Sequence, residues 1–120
     1  MILVDTSVWV RHLRATDSRL VRLLRDRRVV SCEIVLGELL LSSGLPAGVE
    51  ADIVLLPKIP SPSAAETISY VRRHQRAFRA AGAGWADAEI IVSAGAAGAL
   101  LYTADRAQRA VWRALGFRQV

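Results

Sequence analysis

Cysteine is almost missing from this chain. Cys32 is the only one in 120 residues, which excludes a disulfide framework and a cysteine zinc site. No apolar run approaches the roughly 18 residues needed to cross a membrane. The first residues lack the basic region and cleavage site of a signal peptide, so a cytoplasmic protein with no membrane partner is expected. Lysine is almost missing too: fifteen of the sixteen basic residues are Arg, and Lys58 is the exception. There is no internal repeat or low-complexity tract. The length fits a single domain spanning residues 1–120.

What is present is basic and apolar. The net charge is +5 and the pI about 10.6. That balance suits a polyanionic partner held through phosphate contacts, although GC-rich coding also favours Arg and Ala. The 52% hydrophobic content is a little above that of an average soluble domain and hints at a subunit interface.

The stretch Met1-Ile2-Leu3-Val4-Asp5-Thr6-Ser7 organises the rest. Ile2 to Val4 reads as a strand buried on both faces, and it stops at a carboxylate followed by two hydroxyls. In open α/β sheets ligands bind just beyond the carboxyl ends of strands. Further strands are expected at Val29–Val30, Ile53–Leu56 and Ala99–Thr103, with a small edge strand at 117–120. Between them the sequence predicts helices, including Cys32–Ser42, one long helix Ala64–Ala81, Ala86–Ala97 and Arg106–Leu115. Strands alternating with helices indicate a parallel α/β layer structure.

Four acids are oddly placed. Glu38 lies on an apolar helical stripe with Ile34, Val35 and Leu41. Asp87 begins a stripe continued by Ile90, Ile91 and Ala94. Asp105 follows a strand as Asp5 does. A carboxylate facing a core is costly unless it is paired or holds a metal, and no Lys or Arg shares the Glu38 or Asp87 stripe. Helix capping would account for Asp87 or Asp105 singly, but less well for all four acids together. Clustered carboxylates repel one another, and a divalent cation removes that cost. An all-oxygen site favours Mg²⁺ or Mn²⁺ over zinc. On this reading Asp87→Asn relieves repulsion and leaves the metal-free protein at least as stable.

The segments Val4-Asp5-Thr6-Ser7, Gly37-Glu38-Leu39, Ala86-Asp87-Ala88-Glu89-Ile90-Ile91 and Tyr102-Thr103-Ala104-Asp105 together resemble the PIN-domain ribonucleases. Within these they are similar to the VapC-type toxins of bacterial toxin–antitoxin pairs. The resemblance covers essentially the whole chain. It implies a PIN-like three-layer α/β fold with a parallel sheet of four to five strands flanked by helices. It also implies a Mg²⁺- or Mn²⁺-dependent endoribonuclease acting on structured RNA such as tRNA or rRNA, a homodimer, and a cognate VapB-like antitoxin forming a hetero-oligomer. Its acidic quartet falls on Asp5, Glu38, Asp87 and Asp105. Asp5, Asp87 and Asp105 are the expected metal ligands, and Glu38 would orient or deprotonate the attacking water. Thr6, Ser7 and Thr103 would hydrogen-bond carboxylates or water. An aromatic that the family often has shortly after the last Asp is replaced by Ala107 and Gln108, a departure expected to touch packing more than chemistry.

Other residues read as follows. Glu89 should turn away from Asp87 on its helix. Trp85 is the best base-stacking candidate, and Arg72, Arg73, Arg76 and Arg79, outside the apolar stripe of their helix, are candidates for RNA contact. Trp9, Trp112, His12 and Cys32 read as packing, and Glu33 as a helix-start acid. A catalytically silent PIN-like module that binds RNA or protein is the alternative, and the intact quartet argues against it. A receiver-type phosphoryl-transfer domain fits less well, because hydroxyls follow Asp5 where receivers place acids.

Overall fold

The computed structural model describes residues 1–120. Three parallel strands, β1 (Ile2–Val4), β2 (Val29–Val30) and β3 (Leu100–Tyr102), form one sheet in the order β2-β1-β3. Every residue of β1 is essentially inaccessible, so helices cover both faces of the sheet, as its unbroken apolar run requires. The helices are α1 (Thr6–Arg14), α2 (Ser18–Arg25), α3 (Glu33–Leu41), α4 (Ala47–Val54), α5 (Ala64–Arg73), α6 (Gln75–Ala81), α7 (Trp85–Ala96) and α8 (Arg106–Ala114). Val4 pairs with Tyr102, and the Asp5 N–H donates to the Tyr102 carbonyl. The carboxyl ends of β1 and β3 therefore lie side by side and deliver Asp5 and Thr103 to the same edge.

The sheet has three strands, not four or five. Ile53–Leu56 is not a strand: Ile53 and Val54 end α4, and Leu55 and Leu56 leave it. Val49, Ile53 and Leu56 fall at helical spacing, and a short apolar run does not by itself distinguish strand from helix. Ile53 is buried, whereas Val54 and Leu55 point outward, 43% and 82% exposed. The 117–120 segment is not a strand either. Phe117 instead stacks on Trp112, ring centroids 4.1 Å apart, and the Trp112 indole donates to the Arg118 carbonyl. The expected long helix over Ala64–Ala81 breaks at His74, whose N–H is shared between the Tyr70 and Val71 carbonyls. Ser31 pairs with Lys58 in a single parallel bridge beside β2 and leaves the cap of α3 to Cys32.

Asp17 fastens the α1–α2 corner to β3. It caps α2 and accepts from the Tyr102 hydroxyl at 2.6 Å and from Arg11 at 3.0 Å. Burial opposes its charge. The hydrogen bonds from Tyr102, Leu20, Arg11 and Arg19 outweigh burial and bring its pKa down from 3.8 to about 2. A depressed carboxylate contributes stability that is present above 3.8 and lost as pH falls through about 2. Allowing for solvent screening, that contribution is about 1–2 kcal/mol. Chemical denaturation between pH 7 and 2 should show the loss in wild type and a smaller loss in Asp17→Asn; matching curves would remove Asp17 from the ledger.

Candidate active site

Asp5 is the most constrained acid. It is 3% exposed and caps α1. Its Oδ2 accepts from the Ser7 N–H, the Ser7 hydroxyl and the Thr103 hydroxyl at 3.0, 2.5 and 3.3 Å. The two hydroxyls also tie the strand ends together, since Ser7 Oγ accepts from the Ala104 N–H and Thr103 Oγ1 from the Asp105 N–H. Asp5 Oδ1 has a separate partner, the Gln108 amide nitrogen. Thr6 belongs to a different contact: its hydroxyl donates to Glu38 Oε1 at 2.8 Å and so joins α1 to α3.

Asp87 stands in the first turn of α7. Its Oδ2 accepts from the Gly84 N–H at 3.0 Å, a capping contact. Between Asp87 and Asp5 lies Gln108. One amide nitrogen of Gln108 donates to Asp5 Oδ1 at 3.1 Å and to Asp87 Oδ1 at 3.0 Å. The two acids from separate elements thus meet at a single –NH₂ group. Gln108 itself is 2% exposed, and its Oε1 is buried without a partner. The departure after Asp105 therefore touches the acids directly, and the expectation that it mainly affects packing is corrected. The signal was present: Gln108, Val111, Trp112 and Leu115 share one helical stripe, and a polar residue there raises the same question as Glu38.

Glu38 is half-buried. Burial pushes its carboxyl above the usual range, the negative charges of Asp5, Asp87 and Glu89 push it the same way, and the Thr6 hydrogen bond works against them. Glu38 therefore lies within electrostatic reach of the pair. The half-buried Glu89 adds its charge to the same effect on Glu38. Asp105 caps α8 through the Gln108 N–H at 2.9 Å and stands half-buried at the rim.

These oxygens suit a hard cation held by two carboxylates and water, the usual arrangement for Mg²⁺. No three Asp, Glu, His or Cys side chains form a ready cage; the Asp5–Asp87 pair is what the fold brings together. Trp85 is 48% exposed at the start of α7, the end that carries Asp87. Arg72, Arg73, Arg76 and Arg79 are exposed on α5 and α6, but Arg73 and Arg76 stand beside Ala114 and Leu115, at the opposite end of α8 from Asp105 and Gln108. None of the four makes an ion pair, since the only one in the protein joins Arg11 to Asp17. Trp9 and Trp112 are core residues, Cys32 is fully buried, and His12 accepts a backbone N–H from Asp17.

No helix is long and apolar enough to cross a membrane. Residues 2–113 match the PIN domain family. Ribonuclease VapC32 of Mycobacterium tuberculosis, in strains CDC 1551 / Oshkosh and ATCC 25618 / H37Rv, is 39% identical over 112 residues, covering 92% of this chain and 89% of the relative. A parallel sheet delivering Asp5 and Thr103 to one edge, acids gathered beside it, and these likenesses agree: the chain belongs to the PIN-domain family and, within it, to the VapC-type ribonucleases.

Proposed function

We propose that this protein is a Mg²⁺- or Mn²⁺-dependent endoribonuclease and the toxin of a toxin–antitoxin pair, acting in the cytoplasm as one PIN domain over residues 1–120. The observation that carries the reading is the convergence of Asp5 and Asp87, with Glu38 in electrostatic reach, in a member of a ribonuclease family. Asp5 and Asp87 would hold the cation. When bound, it would supply Lewis-acid stabilisation of phosphoryl charge and lower the pKa of water. Glu38, with its raised pKa, is suited to take a proton from the attacking water. Asp105, one oxygen committed to its cap, would act through water. Ser7 and Thr103 hold Asp5 in place, and Thr6 holds Glu38. Arg72, Arg73, Arg76 and Arg79 would contact phosphates, and Trp85 would stack on a base of a structured RNA such as tRNA or rRNA.

The test is to incubate purified, antitoxin-free protein with folded tRNA and rRNA. Cleavage should occur with Mg²⁺ or Mn²⁺ and stop with EDTA. Intact RNA throughout would favour a silent RNA-binding module; cleavage persisting in EDTA would reject the metal.

The antitoxin should inhibit by placing an Arg or Lys among Asp5, Asp87 and Asp105, where a positive charge relieves the same repulsion as the cation. A toxin homodimer would cover apolar surface such as Leu41 and Leu55, 91% and 82% exposed. A structure of the complex checks both expectations. A complex with no antitoxin side chain near the acids would reject this mode of inhibition.

A further inference from the structure

We propose that Gln108 takes part in binding the cation. Its –NH₂ stands in for positive charge between Asp5 and Asp87 when no cation is bound, and its amide turns to present Oε1 when one enters. The inference rests on the reading of Asp5 and Asp87 as the cation's ligands.

The direction of the amide is fixed by its partners. Its nitrogen meets two carboxylate oxygens, at 3.1 and 3.0 Å. The reverse orientation would set Oε1 against both, acceptor against acceptor. The –NH₂ therefore supplies the partial positive charge that two neighbouring carboxylates require. It does so from a firm base, because Gln108 lies in the first turn of α8 with its own N–H held by Asp105.

The same arrangement leaves Oε1 buried and unpartnered, a condition folds rarely leave unresolved. A cation between the acids would change the balance at the end of the amide that faces them, by more than the loss incurred when the –NH₂ turns to the side where Oε1 now has no partner. It would repel the –NH₂, and it or its water would attract Oε1. Rotation about the last side-chain bond exchanges the two ends, and that torsion is broad and roughly two-fold. The exchange needs no movement of α8. A purely structural bridge would use the nitrogen alone and would keep its direction.

The experiment is ¹H–¹⁵N NMR of the wild-type protein titrated with Mg²⁺ alone. The Gln108 side-chain –NH₂ pair is identified by its disappearance in Gln108→Leu. The backbone amides of Ser7 and Gly84, which donate to Asp5 and Asp87, report cation arrival independently. The expected result is that all three move together and that the Gln108 –NH₂ protons exchange faster with water once Mg²⁺ is bound. If Ser7 and Gly84 move while the Gln108 –NH₂ keeps its shift and slow exchange, Gln108 is a fixed bridge. The proposal then fails and the metal site stands. If none of the three moves, both fail. As a second readout, Gln108→Glu should bind Mn²⁺ at least about tenfold more tightly, since a carboxylate is a stronger hard-cation ligand than an amide oxygen. Unchanged affinity would mean that this side chain does not face the cation.

Discussion

Asp5→Asn and Asp87→Asn should each lose at least about a hundredfold in metal-supported RNA cleavage, the size typical of removing one key electrostatic group. The rate should be expressed per folded protein, because both substitutions also disturb hydrogen bonds. Asp87 accepts from Gly84 on one oxygen and from Gln108 on the other. An Asn can accept on only one side, and its –NH₂ must then oppose a donor, a mismatch costing about 1–3 kcal/mol. The expectation that metal-free Asp87→Asn is at least as stable as wild type is therefore revised: it should melt lower. Relief of repulsion belongs to Glu38, whose hydrogen-bond partner Thr6 a Gln can still satisfy. Because the Glu38 carboxyl is raised, its contribution to stability is present at low pH and lost as pH rises through its folded value. At pH 7 in EDTA, Glu38→Gln should melt at or above wild type and cleave poorly. A clearly lower melting temperature for Glu38→Gln, or near wild-type cleavage by Asp5→Asn or Asp87→Asn, would break the assignment.

Trp112→Ala should cost about 3–5 kcal/mol, the range for truncating a large buried aromatic. Trp112 is 1% exposed, is stacked by Phe117 and bonds the Arg118 carbonyl. Domains of this size have only about 5–15 kcal/mol in total, so the variant would be marginal. Trp112 also sets the seat of α8, and α8 carries Gln108. Equilibrium urea unfolding measures the loss. A cost below about 1 kcal/mol would mean that α8 is held in place by other contacts.

The parallel α/β architecture and the four candidate acids were legible in the sequence; several of the elements around them were not. Ile2-Leu3-Val4 reads as a buried strand because it stops at a carboxylate and two hydroxyls, and a carboxylate at a strand's end lies at the sheet edge. Glu38 and Asp87 stood out because they broke apolar stripes. Ile53–Leu56 misled because four apolar residues fit either period, and the helical partner Val49 lay outside the run. Phe117–Val120 was illegible as coil because its conformation is set by the Trp112 ring, a tertiary contact. Gln108 was overlooked because only charged side chains were weighed for their burial cost, although an amide on an apolar stripe carries one too. Its amide nevertheless does what no Arg or Lys does here, meeting both Asp5 and Asp87.

The most direct measurement is calorimetric titration of Mn²⁺ into metal-free protein, comparing wild type with Asp5→Asn and Asp87→Asn at matched ionic strength. The account predicts saturable binding by wild type and at least about tenfold weaker binding by each variant, as expected when a charged ligand becomes neutral. Equal binding by all three proteins would contradict it.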